Sequence, residues 1–117
     1  MKTKGVVQIC NIEYDIIEAD DTEKHELDDC FGYCDNDNLE ITIWEGLKPS
    51  QERDTMFHEI QHAIWDKGGL CDFVAKELGI ERDSTKLRDF EEVFIKLQTP
   101  HLIGALASLR ASKGKKK

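Results

Sequence analysis

The alternation of β-prone residues ends at Trp44, and beyond Pro49 the apolar residues recur every three or four positions. A period of two belongs to strands and one near 3.6 to helices, so the chain divides into a strand-forming first part and a helix-forming second part. That order predicts an α+β domain, a small antiparallel or mixed sheet followed by helices. Val6 to Ile17 carries Val6, Val7, Ile9, Ile12, Tyr14 and Ile16 around a polar break at Asn11, the pattern of a tight hairpin. Phe31 to Cys34 and Leu39 to Trp44 flank the turn formers Asp35, Asn36, Asp37 and Asn38 and predict a second hairpin. The Asp35/Asp37 pair has the form of a calcium-loop start, but Glu40 stands where such a loop needs Gly, so turn chemistry is the better reading. Ser50 is placed to cap a helix through Met56, Phe57, Ile60, Ala63 and Ile64 that Gly68 and Gly69 stop. A shorter helix over Asp72 to Leu78 ends at Gly79. Asp83 or Ser84 caps a third helix carrying Leu87, Phe90, Val93, Phe94 and Leu97, which Pro100 is expected to interrupt before a last segment from His101 to Arg110.

The 117 residues, 39% hydrophobic and 34% charged, suit one domain over 1–112 with a basic tail, expected to be disordered, over 113–117. No run approaches the roughly 18 apolar residues of a membrane span. The first residues lose apolar character at Gln8, Asn11 and Glu13, which predicts a cytoplasmic protein with Cys10, Cys30, Cys34 and Cys71 as free thiols. All 24 acidic residues lie between Glu13 and Glu92 against 8 basic ones in the same span. Binding of nucleic acid by the folded body is not expected from such a balance, because phosphate recognition needs clustered Lys and Arg. The acidic run Asp20 to Asp29 reads as a solvated loop or short helix, and a field of that sign favours a basic protein partner.

Within the first long helix stands His58-Glu59-Ile60-Gln61-His62. Histidines four apart lie one turn apart on one helix face, so both imidazoles can share one metal ion. Glu59 is about 100° round the helix, near the metal without ligating it, where a carboxylate can take a proton from metal-activated water. His58 and His62 lie off the stripe of Met56, Phe57, Ile60, Ala63 and Ile64, and Trp65 beside them favours a cleft over open surface. A catalytic zinc site needs a third protein ligand and one position for water. Glu92, between Arg88 and Lys96, has the neighbours of a solvated face, whereas Glu91, with Leu87, Phe94 and Ile95 around it, points to apolar surroundings where a carboxylate needs a partner. Glu91 is therefore the expected ligand, with Glu92 and His101 as the alternatives.

The β-rich start, Phe31-Gly32-Tyr33-Cys34-Asp35, the strand Leu39 to Trp44, the helix Arg53 to Ile64 with its HExxH motif, and Phe90-Glu91-Glu92-Val93 together resemble the small phage and prophage zincin metallopeptidases, minimal gluzincins related to the ImmA/IrrE type. The resemblance implies a compact sheet packed on the HExxH helix, Zn2+ held by His58, His62 and a glutamate of the next long helix, and Glu59 as general base. It also implies an extended peptide bound along a sheet edge, for which Leu39 to Trp44 is the candidate, and a protein substrate such as a basic DNA-binding regulator. Tyr33 and His101 are the candidates for stabilising the oxyanion. The expected function is thus zinc-dependent peptide-bond hydrolysis. The alternatives are a zinc-binding protein without turnover, and an acidic decoy that occupies a basic partner.

Overall fold

The computed structural model describes residues 2–20 and 31–115. Most of the acidic run, residues 21–29, lies outside the described residues, as do Cys30, Lys116 and Lys117. The chain is α+β. It forms strands β1 (Lys2–Ile9), β2 (Ile12–Ala19), β3 (Gly32–Asp35) and β4 (Glu40–Trp44), then helices α1 (Pro49–Lys67), α2 (Leu70–Leu78) and α3 (Thr85–Lys115). Among the described residues no helix is long and apolar enough to cross a membrane.

Both hairpins follow from their turns. Cys10 and Asn11 have φ of 52° and 65°, the left-handed pair of a type I′ turn, whose twist matches the two strands it joins. In the second turn the Asp35 carboxylate accepts the backbone N–H groups of Asp37 (3.1 Å) and Asn38 (3.0 Å) and the Asn38 side-chain amide (2.8 Å). Asp35 is thereby used up as an internal turn clamp.

The sheet order is β1-β2-β4-β3. β4 pairs in parallel with β2 and antiparallel with β3, so it is an inner strand. This corrects the expectation that Leu39 to Trp44 offers a free edge: both of its sides are occupied, which is why Ile41, Thr42 and Ile43 are all buried. Among the described residues the edge on that side is β3. Gly32 lets this edge lie directly against α1, since a Cβ there would meet Thr55 Cγ2 at 2.6 Å and the Thr42 carbonyl at 2.9 Å.

Helix α1 begins earlier than expected. Pro49 occupies the first turn, where its missing N–H is no loss, and the Lys48 N–H donates to Gln51 Oε1 at 3.1 Å, so Ser50 is inside the helix and not its cap. Gly79 ends α2 in the left-handed conformation (φ 67°), with the Ile80 N–H reaching back to the Ala75 carbonyl at 3.0 Å. Ser84, the second of the two candidate caps for α3, accepts the Leu87 N–H on its hydroxyl at 3.2 Å. Pro100 does not break α3, which runs for 31 residues and takes in Lys113 to Lys115 of the expected tail.

Two buried clusters flank α1. On one side Ala63 joins Ile9, Tyr14, Ile16, Ile41 and Ile43 of the strands. On the other Trp65 joins Cys71 and Ala75 of α2 and Leu87 and Ile95 of α3. A helix covered on two faces has no single apolar stripe, and so Trp65 is 4% exposed while Ile64, on the expected stripe, is 38% exposed. A polar tie sets α3 against α1. Buried Gln61 donates from Nε2 to Thr99 Oγ1 (2.7 Å) and accepts from Gln98 Nε2 on Oε1 (3.0 Å), while the Thr99 hydroxyl donates to the Ile95 carbonyl (2.7 Å). These bonds grip the turn just before Pro100, where the proline leaves the Lys96 carbonyl without its helical donor, and they hold the helix through it.

Candidate metal centre

The helical spacing brings His58 and His62 together as expected, with their Nε2 atoms 3.3 Å apart. Both rings are about one-fifth exposed, at the floor of a cleft of about 590 Å³ walled by the β3 edge, α1 and α3. Glu92 reaches down from α3 with one carboxylate oxygen 2.8 Å from His58 Nε2 and the other 2.8 Å from His62 Nε2. Among the described residues, His58, His62 and Glu92 form a group that could hold a metal ion, with ligand atoms all within 4.8 Å of one another.

Glu91, the expected third ligand, does something else. One of its oxygens contacts His62 Nδ1, on the far side of the ring from Glu92, and the other accepts the Cys71 thiol at 3.3 Å. This placement differs from the expectation for a physical reason. Glu91 is the more buried carboxylate, as its apolar neighbours foretold, but its burial is satisfied by an imidazole and a thiol. The partly exposed face of α3 borders the cleft, and there Glu92 meets both Nε2 atoms while Lys96 Nζ stays 4.0 Å from it. A carboxylate on Nδ1 holds a ligating histidine in the tautomer whose Nε2 lone pair is free for a metal. Glu91 is thus placed to orient the His62 ring. His101 lies more than two turns beyond Glu92 on α3, exposed, and does not line the cleft. Tyr33 lines the cleft from β3 with a largely exposed side chain.

The donor set is one that zinc, among other divalent metals, can use. Two imidazole nitrogens and a carboxylate oxygen are usual zinc ligands, and bonds of 2.0–2.1 Å in tetrahedral geometry put neighbouring ligand atoms about 3.3 Å apart. The two Nε2 atoms already have that separation. Glu59 is 8% exposed and lines the same cleft. Burial raises its pKa, and the charges of His62 and His58 pull it back down. Burial alone would lower the His62 pKa, but its contacts with Glu91 and Glu92 outweigh this and raise it from 6.5 to about 9. Hydrogen bonds from His58 and His62 hold Glu92 far below the usual 4.5. Cys10, Cys34 and Cys71 are free thiols.

These shifts set an expected pH dependence. In metal-free protein the His62 contribution to stability is complete below pH 6.5 and disappears as pH rises through about 9. The Glu92 contribution is complete above 4.5 and is lost in stronger acid. Melting curves in chelator should therefore show Tm falling across pH 6.5 to 9. Zinc-loaded protein should not share the fall, because a metal ion in place of the proton binds better as pH rises. A metal-free Tm that climbs over this window would contradict the arrangement.

Compared with protein-family models, curated proteins and solved structures, the chain finds no match in any of the three. Its function is therefore read from this geometry.

Proposed function

We propose that the chain is a zinc metallopeptidase of the minimal zincin type. The observation that supports it best is the convergence of His58 Nε2, His62 Nε2 and the Glu92 carboxylate beside buried Glu59 in one cleft. Structural zinc sites use four protein ligands, whereas three with room for water is the catalytic pattern. When bound, zinc supplies Lewis acidity that polarises the scissile carbonyl and makes water acidic near neutral pH. Glu59 takes the proton of the attacking water and delivers it to the leaving amine. Its burial favours this role, since it raises the carboxylate's affinity for a proton. Glu91 keeps His62 oriented throughout. The β3 edge, whose outer backbone groups face no further strand among the described residues, takes an extended peptide by adding a strand beside the cleft. The acidic composition suits a basic protein substrate, such as a DNA-binding regulator, in the cytoplasm.

Elemental analysis of protein purified without added metal tests the first half of this reading, with one zinc per chain expected. Digestion of labelled casein, lost in chelator and restored by zinc, tests the second half. Protein that stays metal-free when zinc is supplied would refute the proposal outright. Full zinc loading without cleavage of casein or of a basic protein panel would leave only a metal-binding protein.

A further inference from the structure

The sequence leaves the oxyanion donor open between Tyr33 and His101, yet the best-prepared donor in the cleft is neither. Asn36 stands in the β3–β4 turn and lines the main cleft together with His58, Glu59 and His62. It also lines a second cleft of about 500 Å³ that shares His62, Glu91 and Glu92 with the first. Its side-chain oxygen is fully engaged. The hydroxyl of Tyr14, a core residue with 0% exposure, donates to Oδ1 at 2.6 Å, and the Cys34 thiol donates to the same atom at 3.4 Å. Burial pushes both Tyr14 and Cys34 up to about 12, so each keeps its hydrogen for donation to Oδ1. The amide stands with its oxygen toward these two donors. Nδ2 is left as the free end, and it has no partner among the described residues.

We propose that the Asn36 amide donates a hydrogen bond to the substrate oxygen that gains negative charge in the cleft, the carbonyl oxygen of the scissile peptide bond. This inference rests on the metallopeptidase reading. A donor whose amide is held by its own oxygen before the substrate arrives needs little reorganisation at the moment of reaction, and removing one such donor typically lowers kcat by about 10²- to 10³-fold. The Tyr14 ring belongs to the buried cluster between sheet and α1, so the folding of the core itself holds this donor in place.

The test uses the full chain loaded with zinc and titrated calorimetrically with acetohydroxamate, a small anionic oxygen ligand. Asn36→Ala removes the donor without adding charge. Asn36→Asp keeps the oxygen that Tyr14 and Cys34 require, and so protects the fold while exchanging the donor for a charged acceptor. Both variants should bind zinc as the wild type does and bind acetohydroxamate about 10- to 100-fold more weakly. The loss in Asn36→Asp should be at least as large as in Asn36→Ala, because the carboxylate lacks the donor and repels the anionic probe at contact range, where salt screens little. Wild-type affinity in either variant, or no binding of the probe to zinc-loaded wild type, would overturn the inference. Failure of the underlying metallopeptidase reading shows separately, as wild-type protein that takes up no zinc before any probe is added.

Discussion

Glu59→Gln is expected to abolish peptide cleavage while zinc stays bound. The substitution keeps the shape of a side chain that is only 8% exposed, so packing of α1 against its neighbours should survive. It removes the ability to accept a proton. Glu59 does not belong to the His58, His62 and Glu92 group, so zinc stoichiometry should be unchanged. Losing a well-placed general base lowers turnover by about 10²- to 10⁴-fold. The measurement is the cleavage rate of labelled casein by the two proteins at equal zinc content. Equal rates would remove Glu59 from the mechanism, and loss of zinc in the variant would make it a ligand or a structural support.

The second large effect separates the two neighbouring glutamates. Glu92→Gln should weaken zinc binding by more than 100-fold, beyond the range for loss of a histidine's hydrogen-bond partner. Glu91→Gln should weaken it by about 10- to 100-fold, because it disturbs only the Nδ1 side of His62. Competition against a chromophoric chelator gives both constants under one condition. The reverse order would restore Glu91 as the ligand and make Glu92 a residue of the cleft rim.

The contrast between these glutamates shows where sequence reasoning works and where it stops. Hairpins were legible because their causes are local: Asn11 tolerates a left-handed turn, and Asp35 folds its own turn around its carboxylate. The pairing of His58 with His62 was legible because one helix carries both. Glu91 and Glu92 lie on another helix, and which of them faces the Nε2 atoms depends on how α3 is rotated and slid against α1. That setting comes from Gln61, Gln98 and Thr99, whose contacts span more than thirty residues and leave no periodic trace. The apolar neighbours of Glu91 were legible, but they say only that a carboxylate there needs partners, not which ones. The inner position of β4 was hidden for a similar reason. Its parallel partner β2 is not its neighbour in sequence, and strand order is a property of the whole sheet. Asn36 was legible as a turn former, whereas its value as a donor depends on a tyrosine 22 residues earlier.

The separation of the ligands along the chain has a mechanical consequence. His58 and Glu92 are 34 positions apart, with the whole of α2 between them. An ion held by both would close that stretch into a loop, as a cross-link does. For a covalent bridge of this span, chain-entropy reasoning gives about 4 kcal/mol of stabilisation, drawn from the freedom that the unfolded chain loses. A zinc ion would thus be a removable staple as well as a reagent, and chelation would loosen the grip of α3 on α1 together with the chemistry.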